Sequence, residues 1–434
     1  MQKLAIEGSK PVREKMLPYG HQWVDDEDIA AVVEVLKSDL VTQGPKVDEF
    51  ERKVAEYCGA RYAVAVSSGT AALHAACAVV GISTGDEAIT TPITFAATAN
   101  AIVYCGGKPV FADIRKDTLN IDPGEIRKKL SPRTKVILPV DFAGYPADLD
   151  EITAIAKEKG LIVIEDAAHA LGAEYKGRKI GSLADMTVFS FHPVKHITTG
   201  EGGMILTDNE EFYNKLKIFR HHGIVKDNLV TVHQDVILRE SFALCHSERS
   251  EESLAQGDTK RAEQLLDNLD KRGSWYYEIY NPGYNFRLTD FQCALGISQL
   301  KKLDRFIQRR REIAARYNEA LAEMTELVTP VEAEDVKAAY HIYVIQLQTE
   351  WLKVGRREMF DALRAENIGV SVHYMPLHLH PFYQKRFGYK KGDYPVAEKY
   401  YDRAITLPLF PRMSDDDVED VIKAMRKVIS FYRK

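Results

Sequence analysis

Met186-Thr-Val-Phe-Ser-Phe-His-Pro-Val-Lys-His-Ile-Thr-Thr-Gly-Glu-Gly-Gly-Met-Ile-Leu-Thr207 decides how this chain is read. Met186 to Phe191 is an apolar run that reads as a buried strand, Pro193 marks a turn, and a second apolar strand begins at Met204, after the glycines. Lys195 is thereby held on a loop between buried strands rather than on a polar helix face. Small hydroxyls and three glycines around it let backbone approach a ligand closely. Such surroundings strip water from an amine and lower its pKa, the condition for nucleophilic attack on a carbonyl. A solvated lysine in a glycine-rich turn satisfies the same stretch, so the rest of the chain has to choose between the two readings.

With 434 residues the chain is too long for one ordinary core, which predicts a large domain and a smaller one. A net charge of -5 lacks the basic excess that a nucleic-acid partner requires. No run reaches transmembrane length and Met1 to Tyr19 lacks the apolar centre of a signal peptide, so we expect no membrane partner and a cytoplasmic location. Cys58, Cys77, Cys105, Cys245 and Cys293 are odd in number and have no CxxC spacing, which predicts free thiols. The pair His221-His222 and the set His373, His378, His380 lack metal-ligand spacing beside an acid, so no metal is expected.

In the N-terminal segment (1–60), Asp25 to Ser38 and Val47 to Cys58 have helical periodicity, and Leu40-Val-Thr-Gln-Gly-Pro45 is a turn. Thr42 and Gln43 in that turn are either a substrate lip or part of a connector. Tyr62 to Val66 reads as a buried strand, followed at once by a helix that starts at Ser67-Ser-Gly-Thr70. The unpaired N–H groups of such a start, around Gly69 and Thr70, make a phosphate seat; plain N-capping by Ser68 or Thr70 accounts for the same residues. Further strands are expected at Glu87 to Thr91, Lys108 to Ala112 and Thr134 to Val140, and helices at Pro92 to Ile102 and Asp148 to Lys159. Phe95 falls in the first turn of the former helix, either against a flat ring or as core filler.

Gly160-Leu-Ile-Val-Ile-Glu-Asp-Ala-Ala-His-Ala-Leu-Gly172 is the second informative stretch. Its apolar residues form a buried strand, and Glu165-Asp166 emerge at the carboxyl end, where parallel sheets present ligands. A carboxylate, a desolvated amine and a phosphate seat on successive strand tips are the parts that pyridoxal 5′-phosphate requires.

SSGTAAL (67–73), TFAATANAI (94–102), EDAAHALGA (165–173), SFHPVKHITTGEGG (190–203) and GYNFRLTDFQCALG (283–296) together resemble the DegT/DnrJ/StrS family of pyridoxal-phosphate-dependent sugar aminotransferases. The resemblance spans nearly the whole chain. It implies an α/β architecture of PLP fold type I, aspartate-aminotransferase-like: a large domain (61–300) with a mostly parallel sheet and helices on both faces, and a smaller α+β C-terminal domain (301–434). It further implies that Lys195 bonds the cofactor aldehyde, Asp166 pairs with the pyridine nitrogen, Gly69, Thr70 and Ser190 bind the phosphate, Phe95 stacks on the ring and His169 lies near the ring hydroxyl. Asn285 matches an asparagine that reaches the phosphate of a neighbouring subunit, which implies a homodimer with shared active sites.

The activity so implied is transfer of an amino group from glutamate to C4 of a 4-keto-6-deoxy nucleotide sugar. LVTQGPKVDEFE (40–51), FSFHPVK and YNFRLTDFQCALG point within the family to UDP-2-acetamido-2,6-dideoxy-β-L-arabino-hex-4-ulose. UDP-4-keto-arabinose and dTDP- or GDP-4-keto-6-deoxyhexoses are the alternative acceptors. A sugar dehydratase of the same family carries histidine where this chain has Lys195, and a non-catalytic cofactor-binding protein would not need both Lys195 and Asp166.

One departure stands out: an insertion at about 226–274, polar and charge-mixed in its later half, where the family has a short hairpin. It reads as a solvated excursion. Beyond it, periodicity from Leu288 continues toward Leu321, predicting one long helix that links the domains. Strands are expected at Tyr340 to Leu347 and Ile368 to His373, and helices at Arg356 to Glu366, Val396 to Arg403 and Asp415 to Tyr432. His373 ends the second of these strands, either facing a nucleotide sugar or packed.

Overall fold

Successive residues of a strand point to opposite faces, so a strand that is apolar throughout needs cover on both sides. In the computed structural model, which describes residues 3–225 and 275–434, that cover comes from helices. The first half of the chain gives α1 (Asp26–Leu36), α2 (Pro45–Cys58), β1 (Tyr62–Val66), α3 (Gly69–Val79), β2 (Glu87–Thr90), α4 (Ala96–Tyr104) and β3 (Lys108–Phe111). There follow α5 (Pro123–Lys129), β4 (Thr134–Leu138), α6 (Leu149–Lys159), β5 (Ile162–Asp166), the short hairpin β6 (Glu174–Tyr175) and β7 (Arg178–Lys179), β8 (Met186–Ser190), β9 (Gly203–Thr207) and α7 (Glu210–Arg220).

Seven of the strands form one sheet in the order β1-β9-β8-β5-β4-β2-β3, parallel except that β9 runs against both neighbours. Val64, Val136, Leu138, Ile164 and Val188 turn to the face covered by α3, α4 and α7. Their neighbours Ala63, Ala65, Ile137, Val163 and Phe189 turn to the face covered by α2, α5 and α6. Each fully buried Val, Ile or Phe in these two layers contributes about 1.5–3 kcal/mol. The expected sheet, mostly parallel with helices on both faces, is the observed one.

The remaining strands are β10 (Ile224–Val225) paired with β11 (Glu278–Ile279), β13 (Val336–Lys337) paired with β6, and a three-stranded antiparallel sheet, β12 (Leu327–Val328), β14 (Tyr343–Leu347) and β15 (Ala404–Leu407), with β14 central. A separate core joins Tyr343, Ile345 and Leu407 of this sheet to the helices Leu303–Leu321, Arg356–Ala365 and Asp415–Tyr432, and it also takes in Leu4 and Leu17. The last helix has the bounds expected from its pattern; Ser414 caps it, accepting from the Asp417 N–H at 3.1 Å.

Four expectations need correction. The single helix from Leu288 toward Leu321 is two, Asp290–Leu300 and Leu303–Leu321, parted at Lys301-Lys302. Lys302 is buried in an ion-pair group with Asp25 and Asp28, a tertiary demand that periodicity does not register. Ile368 to His373 forms only isolated bridges, Leu17 with Ile368 and Ser371 with Thr406, and the strand expected from Tyr340 begins at Tyr343, because Tyr340 has a left-handed φ of 47°. Phe95 is the residue before α4 rather than part of its first turn. The insertion at 226–274 lies outside the described residues.

Candidate active site

β5 lies between β4 and β8 near the middle of the sheet, and its carboxyl end delivers Asp166. The side chain is 5% exposed. Its Oδ2 accepts from Thr98 Oγ1 at 2.7 Å and its Oδ1 from the Ala168 N–H at 3.2 Å. Thr98 is fixed in turn by Thr94, hydroxyl to hydroxyl at 2.7 Å, so α4 orients the acid. Burial pushes the Asp166 carboxyl up, while Thr98, the Ala168 N–H and the Lys195 charge pull it back down. Behind it, on the other side of β5, burial drives Glu165 up to about 7, and Asp141 is pushed up by burial and by the Glu165 charge.

Lys195 follows β8 in a turn closed by its own N–H, which donates to the His192 carbonyl at 2.9 Å. Its amine is lowered to about 8, by burial first; the Asp166 charge works against that shift and the Arg310 charge adds to it. The protonated form thus still predominates at pH 7, by roughly tenfold, and the neutral amine becomes the main form above about pH 8; the side chain is half-buried rather than fully exposed.

The start of α3 abuts the end of β8. Ser68 Oγ accepts from the Ala71 N–H at 3.0 Å, so ordinary capping does occur here. It uses one donor, and the N–H groups of Gly69 and Thr70 find no protein acceptor among the described residues. A Cβ on Gly69 would lie 2.9 Å from Ser190 Cβ and 3.1 Å from Ser190 Oγ, so only glycine lets the helix start and Ser190 share this corner. Gly69→Ala should weaken cofactor binding about tenfold or more, because clash relief of about 1–3 kcal/mol must come from displacing Ser190 or the helix start. Fluorescence titration of the cofactor-free variant with pyridoxal phosphate measures it, and unchanged affinity would count against a phosphate seat at this corner.

The Lys195 charge acts on His169, His341 and His373, and Tyr374 stands beside His169 with Phe95 next to it. Phe95, 61% exposed, stands 6.3 Å from the Tyr374 ring. His169 is buried, 4.3 Å ring to ring from His341; its Nε2 is 3.4 Å from Tyr374 Oη and its Nδ1 has no partner. His373 is buried with Nδ1 2.8 Å from Thr406 Oγ1, its carbonyl accepts from Tyr400, and burial together with the Lys195 charge lowers it to about 4. Thr98, His341, Tyr374 and Arg310 belong to this group, yet nothing in the sequence pattern singles them out. Thr98 is the exception in part: it stands four residues after Thr94, whose hydroxyl meets it from the turn that precedes α4.

Asn285, Thr42 and Gln43 make their contacts with other residues. Asn285 is exposed and bridges to His221, while the adjacent Phe286 carbonyl accepts from the Ser67 N–H at 2.8 Å. Thr42 bridges to Thr289, and Gln43, at φ 55°, precedes Gly44, whose N–H donates to buried Asp290 at 2.7 Å. Gln43 also lines a hollow with Arg220, His221 and Arg287.

A desolvated amine facing an anchored carboxylate, free helix-start N–H groups beside Ser190 and an unpartnered imidazole nitrogen on His169 fit pyridoxal 5′-phosphate, an aldehyde-bearing pyridine with a phosphate arm. Residues 22–426 match the DegT/DnrJ/EryC1/StrS aminotransferase family. The chain is 44% identical over 418 residues to the spore coat polysaccharide biosynthesis protein SpsC of Bacillus subtilis, covering 96% of this chain and 98% of that one. It is 36% identical over 423 residues to the UDP-4-amino-4,6-dideoxy-N-acetyl-beta-L-altrosamine transaminase of Campylobacter jejuni, covering 96% and 99%. Among solved structures, Helicobacter pylori PseC, an aminotransferase of pseudaminic acid biosynthesis, superposes with a TM-score of 0.82 at 30% identity over 96% of this chain and all of that one. The PLP form of a putative sugar aminotransferase from Streptococcus pneumoniae gives 0.81 at 29%, covering 96% and 99%. The chain is a member of the DegT/DnrJ/EryC1/StrS aminotransferase family, with pyridoxal 5′-phosphate as its cofactor.

Proposed function

We propose that this sugar aminotransferase moves an amino group from glutamate to C4 of a 4-keto-6-deoxy nucleotide sugar, UDP-2-acetamido-2,6-dideoxy-β-L-arabino-hex-4-ulose before others. The observation that carries the chemistry is the half-buried Lys195 amine, within the field of the Asp166 carboxylate at the carboxyl ends of the central strands. The acceptor is favoured by the 36% identity to the Campylobacter transaminase. A different keto sugar nucleotide is the second reading, favoured by the higher identity to the spore coat protein.

The bound cofactor supplies an electron sink for the carbon that loses its proton. In our reading Asp166 keeps a proton on the pyridine nitrogen, and the N–H groups of Gly69 and Thr70 with Ser190 hold the phosphate. Phe95 covers one side of the ring, and His169 meets the ring hydroxyl. Lys195 Nζ, neutral near pH 8 and above, takes the proton from Cα of glutamate and later returns one to C4 of the sugar. Thr42, Gln43 and His373 are assigned to the sugar nucleotide. Mixing the protein with glutamate and a panel of 4-keto nucleotide sugars tests the proposal: amination of the UDP-acetamido sugar ahead of UDP-4-keto-arabinose and of dTDP or GDP sugars supports it, and preference for another member of the panel replaces the acceptor.

We further propose a cytoplasmic homodimer with shared sites, built on the large and small domains 61–300 and 301–434. Asn285 is exposed, and Tyr104, Trp275, Tyr277, Tyr280 and Tyr284 expose aromatic surface. If each site joins one protomer's Lys195 to the partner's Asn285, equal mixing of inactive Lys195→Ala and Asn285→Ala proteins with subunit exchange should restore about a quarter of wild-type turnover, because half the dimers are hybrids with one intact site. No recovery from exchanged subunits would refute the sharing.

A further inference from the structure

Tyr374 reaches the site from the C-terminal part of the chain, just before a turn whose Leu377 N–H donates to the Pro92 carbonyl at 2.9 Å. Its ring stands 6.3 Å from that of Phe95 and 6.3 Å from that of Phe142, and it is inclined by only 27° to the His169 ring, again at 6.3 Å. Tyr374 thus borders both Phe95 and His169, the residues assigned to the face and to the hydroxyl of the cofactor ring. Among the described residues its hydroxyl has one hydrogen-bond partner: Oη is 3.4 Å from His169 Nε2.

A neutral imidazole carries one N–H and one lone pair, so the role taken at Nε2 dictates the role left to Nδ1. Burial, helped by the charges of Lys195, His373 and His196, lowers the proton affinity of His169 and keeps it neutral. Burial raises that of the Tyr374 phenol, with Tyr19 and Asp166 adding to the rise, and keeps it protonated. His341, also held neutral by burial, packs against the His169 ring at 4.3 Å without a hydrogen bond to its buried Nδ1. Two arrangements are then open to the pair. If Nε2 donated to the hydroxyl, the phenol proton would have no acceptor and Nδ1 would present a bare lone pair. If the phenol donates to Nε2, the Nδ1–H alone is left without a partner, and an oxygen of the ligand satisfies it. Each unmet buried donor or acceptor is costly, so the second arrangement wins. We infer that Tyr374 is a positioning residue for the cofactor: its hydroxyl donates to His169 Nε2, which leaves the imidazole proton on Nδ1 and makes that atom a fixed donor to the ring oxygen. This rests on the reading that puts His169 at the ring hydroxyl.

The test is a double-mutant cycle read by the pH midpoint of bound-cofactor absorbance in the holoenzyme, with thermal melting as the control for folding. A donor on the ring oxygen weakens that oxygen's hold on the proton that titrates, so losing the donor raises the midpoint. His169→Ala should raise it by about one pH unit, tenfold in proton affinity. Tyr374→Phe keeps the ring and should raise it by about half a unit, because Nδ1 then carries the proton only part of the time. The double variant should match His169→Ala, since the hydroxyl acts through the imidazole. An unmoved midpoint in Tyr374→Phe, or a double variant whose shift is the sum of the two, overturns the inference. Should a variant not fold, histidine nitrogen NMR of the wild-type holoenzyme decides: a proton on His169 Nδ1 alone supports the inference, and one on Nε2 overturns it. Failure of the underlying reading looks different, since His169→Ala would then leave the midpoint where it is.

Discussion

Lys195→Ala should lower turnover by on the order of 10⁴-fold or more and abolish the pH-dependent absorbance of the bound cofactor. Two losses combine. The amine that bonds the cofactor aldehyde is gone, and so is the base that takes the proton from the donor. The surroundings survive the change, because Asp166 is held by Thr98 and the Ala168 N–H rather than by Lys195, and Gly69 and Ser190 do not depend on the lysine. The variant should therefore still fold. In the wild type, only the neutral amine attacks an aldehyde, and its proton affinity is lowered to about 8. The rate at which cofactor-free protein captures pyridoxal phosphate should then rise about tenfold per pH unit below that value and level off above it. Stopped-flow absorbance measures the profile. Wild-type turnover from the alanine variant would sink the assignment.

Lys195 and Asp166 were legible because each stands next to a strong local signal: a continuous apolar strand that stops at a turn. The same logic located the strands of the main sheet to within a residue or two, since a strand buried on both faces must be apolar throughout. What failed had a long-range cause. Lys302 breaks a helical pattern because acids 274 and 277 residues earlier in the chain bury it. Ile368 to His373 has strand composition, but its neighbours are Leu17 and Thr406, one bridge each, too few for a ladder. His341 comes near Lys195 and Tyr374 near Asp166 only through tertiary packing of the C-terminal part of the chain, and their sequence surroundings resemble any apolar stretch. Arg310 is invisible for the opposite reason: it lies in a charged run, Arg309-Arg-Arg311, that reads as a solvated face, and only packing reveals that the middle residue points inward.

Asp166→Asn should separate stability from activity. Removing the charge from a buried carboxylate removes a desolvation cost, and asparagine keeps the shape that Thr98 and the Ala168 N–H hold, so cofactor-free protein should melt no lower than wild type. Activity should nonetheless fall by at least about 10²–10³-fold, the range for losing one preorganised electrostatic contact to a reacting system, because a neutral amide cannot keep a proton on the pyridine nitrogen. The midpoint of bound-cofactor absorbance should fall as well, since Asp166 is the charge that favours protonated Lys195. Thr98→Val should move in the same direction as Asp166→Asn but less, by about tenfold in rate, since it removes one hydrogen bond to the charge and leaves the charge itself. An Asp166→Asn protein that turns over at the wild-type rate would mean that the ring nitrogen finds its proton elsewhere, and the acid at the end of β5 would then be no more than a cap for the turn that follows it.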